Sequence, residues 1–470
     1  MKSSKVLLMF AMVVAVSFVS SCSIRTQDRQ IKQTYVLPSR DMPAVLYEPV
    51  TPGEKSQIAL LVMHSDRNYL SFSACTEMAK RGYRVLCANT TATNKFQPSW
   101  DIGLDGMLLD VKAAMVYLRK YPGVKKVVLW GHSGGGTMMS AYQDIAENGL
   151  KACQGPEKLV KCPDKLAGLP AADGVMLIDS NWGIAAMTLF ALDPAVVSDE
   201  DGQRLNPALD MFNPANGFNT GSNMSDPPKG SKPTTGSTYS TEFIRRYLGA
   251  QGKRDSRLIK TALDRLAAIK AGKGHYTDDE PFNISGASNS FMNSKLYAQD
   301  LRLMSHTRSA WPLLHADGSV TTQVIHSVRV PTSQKSLTSS FSNDSALKTS
   351  VLEFLNLFAV RVSDDYGYDE DSVHGIDWSS SYNCPPGTIQ GVTAPLLAMG
   401  MTGSWEYLAA ETIYENAKST DKTLAFVEGA SHTYETCKQC ETTAGQYGDT
   451  LKTTYDYADK WLSQKGRFVK

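Results

Sequence analysis

Net charge is nearly absent from this sequence: 48 basic side chains stand against 47 acidic ones over 470 residues, a formal charge of +1. No global field is available to gather nucleic acid or an anionic membrane surface, so neither is expected to be held by charge. After the first few residues no apolar run is long enough to span a bilayer, and no internal repeat is present. Cys437-Lys438-Gln439-Cys440 has no second Cys-x-x-Cys and no His-x-x-x-His to complete a zinc set. The acidic residues Asp364, Asp365, Asp369, Glu370 and Asp371 lack the ordered ligand spacing of an EF-hand loop and read as a solvated loop. No metal or other cofactor is therefore expected.

The composition, 42% hydrophobic and 20% charged, is that of a soluble globular protein. The length exceeds what one hydrophobic core usually supports, so a core with a large insertion is expected. The amino terminus differs from the rest: Lys2 and Lys5 precede the apolar run Val6 to Val16, and small residues follow, as in an export signal. Its end, Val19-Ser20-Ser21-Cys22, resembles the lipobox of bacterial lipoproteins. That resemblance implies a signal over 1–22, lipid attachment at Cys22, and outer-membrane sorting, since Ser23 and not Asp follows. The alternative is an ordinary cut near Ser20 or Ser21, leaving the protein in the periplasm or at the cell surface. In the first case the lipid is the only membrane contact, and residues 23–44 serve as a tether. Export permits disulfides. Cys153 with Cys162 and Cys437 with Cys440 are the natural local pairs, Cys384 competes for the second, and Cys87 reads as a buried strand thiol.

From about residue 45, short apolar runs alternate with amphipathic stretches, the pattern of a sheet with crossover helices. Ile58 to Met63, Val85 to Ala88, Val127 to Trp130 and Val175 to Ile178 read as strands buried on both faces. Asp105 to Tyr121 reads as a helix with Leu108, Val111, Met115 and Leu118 on one side. The rhythm breaks between 186 and 390. There Gly217 to Ser240 is loop-like, while Arg257 to Ala271 and Leu347 to Ala359 carry helical spacing. Strand language resumes over 391–470, at Pro395 to Gly400 and Leu424 to Val427, and an amphipathic helix with Leu451, Tyr455, Ala458, Trp461 and Leu462 closes the chain.

The run Gly131-His132-Ser133-Gly134-Gly135 follows a strand and precedes a helical stretch beginning near Thr137. That strand–turn–helix setting is what a nucleophile elbow requires, with glycines where a Cβ would collide. Ser133 is the candidate nucleophile. A serine hydroxyl needs a base, and His432, the last of eight histidines, follows the final strand. His132 is expected to point elsewhere, and His275, His306, His315, His326 and His374 lie in the insertion. Two residues compete for the acid: Asp179 at the end of the Val175 to Ile178 strand, and Glu406, the first carboxylate after Gly400. Gly134 is expected to supply one backbone donor for an oxyanion, and the loop His64-Ser65-Asp66-Arg67 another, from Ser65 or Asp66.

Strand, elbow, insertion, acid candidates and terminal histidine together resemble the α/β-hydrolase superfamily, over about 45–185 and 391–470. The resemblance implies an α/β fold: a doubly wound, mostly parallel sheet with a large, mainly helical cap inserted over 186–390. It also implies a serine hydrolase of the carboxylesterase or lipase kind, acting on a small-molecule ester through an acyl-enzyme on Ser133. A peptidase or amidase of the same fold, and a catalytically silent surface lipoprotein that binds a ligand, are the competing readings.

Overall fold

The computed structural model describes residues 30–94, 102–199, 204–219, 236–287, 295–331 and 346–468. The expectations for the signal segment, for Cys22 and for most of the Gly217 to Ser240 loop lie outside the described residues.

The long apolar runs become the centre of a ten-stranded sheet. In chain order its strands are β1 (Ile31–Ser39), β2 (Met42–Pro49), β3 (Ile58–Met63), β4 (Arg84–Ala88), β5 (Lys126–Ser133) and β6 (Gly174–Ser180). The insertion then adds β7 (Pro281–Ser285), β8 (His306–Leu314), β9 (Val320–His326), β10 (Ala346–Ser350), β11 (Val362–Tyr368) and β12 (Val373–Ile376). Strands β13 (Leu396–Met401) and β14 (Lys422–Val427) complete the set. The sheet order is β1-β2-β4-β3-β5-β6-β13-β14-β8-β9, parallel from β4 to β8, with antiparallel strands at both margins.

Every residue of β3, β4, β6 and β13 is buried, because helices cover both faces. Alternation along β3 sends Ala59, Leu61 and Met63 to one face, and Ile58, Leu60 and Val62 to the other. On the first face they meet helices Gly103–Lys120, Gly134–Asn148 and Ala409–Asn416; on the second they meet Ser73–Lys80 and Thr450–Leu462. The chain runs outward from β3 to β4, then returns to β5 on the other side of β3, so the sheet switches direction between β3 and β5. Ligands of doubly wound sheets gather at the carboxyl ends of the strands beside such a switch. This is the α/β-hydrolase fold.

Several local expectations give way. Residues 31–44, expected as a tether, lie in β1 and β2 within the sheet. Cys87 is not a free thiol: it is bonded to Cys75, which the helix Ser73–Lys80 lays over β4. The pairs Cys153–Cys162 and Cys437–Cys440 are present, and Cys384 is free and buried. The helix expected over Leu347 to Ala359 begins as β10, paired antiparallel with β7, and only then turns helical at Val351. Among the described residues the insertion is mixed and not mainly helical: one 30-residue helix, Thr241–Lys270, packs on β11, while β8 and β9 extend the main sheet beyond β14. The acidic run falls largely on the β11–β12 hairpin. Among the described residues, no helix is long and apolar enough to cross a membrane.

Candidate active site

The residues singled out in the sequence meet at the carboxyl edge of the sheet. Strand β5 runs directly into the helix Gly134–Asn148, and Ser133 sits at the junction with φ 53° and ψ −129°. A positive φ is uncommon for a residue with a Cβ and costs on the order of 1–3 kcal/mol, so the surrounding structure must hold it. It does so through close contacts that only glycine permits. A Cβ on Gly131 would lie 2.7 Å from Gly136 Cα, and one on Gly135 would lie 2.3 Å from the Met63 carbonyl oxygen. The Ser133 carbonyl accepts a hydrogen bond from Asn181 N at 3.3 Å, tying the elbow to the segment after β6. Replacing Gly135 by alanine is expected to destabilise the protein by about 1–3 kcal/mol, because backbone and not a flexible side chain occupies the space. A denaturant melt of the variant checks this, and an unchanged midpoint would contradict it.

His432 stands in a pinned turn after β14. Gly403 N donates to Ala430 O at 2.8 Å, Ser431 N to Glu435 O at 2.7 Å, and Cys437 N to Gly429 O at 2.8 Å. The Cys437–Cys440 disulfide closes its far side. His432 Nδ1 lies 2.7 Å from Asp179 Oδ2 and 3.4 Å from Glu406 Oε2. Asp179 makes the hydrogen bond; its other oxygen accepts from Met401 N at 3.0 Å. Both acid candidates therefore converge on one nitrogen. With Nδ1–H donated to Asp179, Nε2 is left as the acceptor, the tautomer a general base needs.

His132 does not point elsewhere. Its ring centroid is 4.5 Å from that of His432, and its Nε2 lies 2.7 Å from the His432 carbonyl oxygen. A carbonyl only accepts, so Nε2 carries the proton, and Nδ1 accepts from the Tyr69 hydroxyl. Burial, aided by the neighbouring His432 and His64 rings, holds His132 well below the ordinary histidine value, hence neutral. Phe72, at 5.0 Å, and Tyr434, at 4.9 Å, pack against the same ring. Strand alternation carries His132 to the face of Val128 and Trp130, and there the Tyr69, Phe72 and Tyr434 rings hold it beside His432.

The loop after β3 closes the other side. His64 and Ser65 are buried, and a Cβ on Gly134 would meet Ser65 Oγ at 2.3 Å. Gly134 and the His64-Ser65 backbone thus border the same space as Ser133. A cavity of about 400 Å³ is lined here by Ser133, His432, Glu406, Trp405, Arg67 and Met187, among others.

Among the described residues, one group brings metal-ligating atoms together: His132, Asp179 and His432, within 4.8 Å of one another. Those atoms are engaged with each other and with backbone, as given above, which suits a hydrogen-bonded relay better than a metal site.

No protein-family model matches this chain, and no curated protein sequence matches it. Similar solved structures include a siderophore hydrolase, EstB, from Aspergillus fumigatus, at 11% identity over 92% of this chain and 98% of that one, TM-score 0.40. A dienelactone hydrolase from Anabaena variabilis is similar at 10% identity over 94% and 100%, TM-score 0.36. Esterase B from Lactobacillus Rhamnosis is similar at 14% identity, TM-score 0.26, over 34% of this chain and only half of that one. These likenesses are too distant to bear on activity, and the fold rests on the strand order.

Proposed function

We propose that the protein is a serine hydrolase that cleaves carboxylic esters. The observation that carries this reading is the strained backbone of Ser133 at the end of β5, in the same cavity as a His432 whose Nδ1 is held by a buried Asp179. Strain of this kind on a serine has no packing benefit, whereas it lifts a hydroxyl clear of the sheet. In the proposed cycle Ser133 Oγ attacks the ester carbonyl while His432 Nε2 takes its proton. The imidazolium formed is stabilised by Asp179 and returns the proton to the departing alkoxide. The oxyanion is met by backbone N–H groups of Gly134 and of the Ser65 turn. Water then repeats the sequence on the acyl-enzyme and regenerates Ser133.

Esters are favoured over amides because an alkoxide leaves without the machinery an amine requires. Turnover of p-nitrophenyl acetate or butyrate by the purified chain tests the reading. Cleavage of anilide and not ester substrates would move it to an amidase, and turnover of neither would favour a silent binding protein.

The charges around His432 predict how the rate depends on pH. Burial works against the imidazolium, but Glu406 and then Asp179 outweigh it and hold the ring above its ordinary value. Only the neutral ring can act as base, so kcat/KM is expected to rise with pH. It should still be climbing above pH ~8, where an ordinary histidine of pKa about 6.5 would have levelled off. A profile flat from pH ~8 upward would contradict this electrostatic account.

We further propose that the chain is an exported bacterial lipoprotein anchored through lipid on Cys22, at the outer membrane, on the strength of Val19-Ser20-Ser21-Cys22. Mass analysis of the mature amino terminus tests this: a lipidated Cys22 supports it, and an unmodified chain contradicts it.

A further inference from the structure

We infer that His432 is served by two carboxylates, Asp179 as its hydrogen-bonded partner and Glu406 as a second positioning acid able to take over Nδ1. This deepens the hydrolase reading and rests on it.

Glu406 follows β13 and Asp179 ends β6, and these strands are hydrogen-bonded neighbours, so two carboxylates from adjacent strand ends reach one imidazole. Glu406 is 4% exposed, and its Oε2 has no hydrogen-bond partner among the described residues although it lies 3.4 Å from His432 Nδ1. A buried carboxylate oxygen without a partner is costly, on the order of 1–3 kcal/mol or more. A purely structural glutamate would have acquired a donor. The one it approaches is Nδ1–H, already given to Asp179.

Other charged and titratable groups face this pair: His64, Asp66 and Arg67 line the same cavity, and the Tyr434 phenol feels the Asp179 charge. His132, from β5, is neutral and donates to the His432 carbonyl. Lys295, fully buried ahead of the short helix Leu296–Gln299, acts on Glu406 through its charge, as Glu406 acts on it. The phenols of Tyr69 and Tyr297 both feel the Glu406 charge. Burial pushes the Glu406 carboxyl up; His432 pulls it back, Asp179 adds to the rise, and Lys295 opposes it. Together these raise the Glu406 carboxyl to about 7. When ionised it favours the imidazolium, and when Asp179 is absent it is the one carboxylate positioned beside Nδ1.

The experiment has two arms on the full chain. In the first, NMR follows the His432 imidazole through a pH titration in the wild type and in Glu406→Gln. Removing one neighbouring negative charge should lower the His432 midpoint by about one pH unit, and the rising limb of kcat/KM should move down with it. In the second, ester turnover is compared for Asp179→Ala, Asp179→Ala/Glu406→Gln and His432→Ala. Asp179→Ala should retain at least about tenfold more activity than His432→Ala, and the double variant should lose that remainder. A His432 midpoint unmoved by Glu406→Gln overturns the inference even if the Asp179 variants fail to fold. So does a folded Asp179→Ala no more active than His432→Ala. The NMR arm needs no turnover, so a chain that hydrolyses nothing sinks the hydrolase reading separately from the effect of Glu406 on His432.

Discussion

Ser133→Ala is expected to lower kcat by about 10⁶-fold, the scale on which removing a triad nucleophile acts. The expectation follows from the division of labour at the site. Without Oγ there is no acyl-enzyme, and the neighbouring hydroxyls of Ser65 and Thr433, which also border the cavity, do not stand on the elbow. The backbone donors of Gly134 and the His64-Ser65 turn would remain, so a residual acceleration of about 10³–10⁴ over water is expected. Substrate binding should change little, because alanine removes one oxygen from a cavity of about 400 Å³. The variant should also fold, since the strained backbone is held by contacts of Gly131, Gly135 and Gly136 and not by the hydroxyl. Ester turnover at saturating substrate measures the effect, and a loss under about tenfold would remove Ser133 from the chemistry.

His432→Ala is expected to cost about as much, and the two changes together no more than either alone. A base has no task without the hydroxyl it deprotonates, and the hydroxyl is a poor nucleophile without the base. Additive losses would instead indicate two independent contributions. The alanine also leaves both Asp179 Oδ2 and Glu406 Oε2 without the imidazole between them, placing two buried carboxylates close together, with Lys295 opposing the Glu406 charge. Without the imidazole that pulls it down, the Glu406 carboxyl, already raised by burial, should rise further. His432→Ala should therefore lose stability as pH rises, as Glu406 is forced to ionise, and calorimetry at two pH values would register it.

Much of the site can be read along the chain because its determinants are local. The elbow needs small residues at fixed offsets around Ser133, and the buried parallel strands announce themselves as continuous apolar runs such as Ile58 to Met63. What stayed open depends on contacts distant in sequence. Asp179 and Glu406 each follow a strand, and nothing local says that β6 and β13 are sheet neighbours or that the two carboxylates share one nitrogen. His132 is hidden for the same reason, since its partner is the carbonyl of a residue 300 positions away. The Cys75–Cys87 bond required knowing that the helix Ser73–Lys80 lies across β4. The β8–β9 hairpin, by contrast, carries a local signal: Asp317-Gly318 sits between Trp311 to Leu314 and the β-branched stretch Val320 to Ile325. Leu347 to Ala359 misleads because its apolar spacing suits a helix, while pairing with β7 captures the first four residues as strand.

The central claim is that Ser133 is an activated nucleophile served by His432. Treating the purified chain with a fluorophosphonate and locating the adduct by peptide mass spectrometry tests it most directly. The account predicts a single phosphonylated serine, Ser133, with labelling abolished in Ser133→Ala and slowed by orders of magnitude in His432→Ala. An unlabelled wild-type chain, or labelling that persists undiminished in Ser133→Ala, would contradict it.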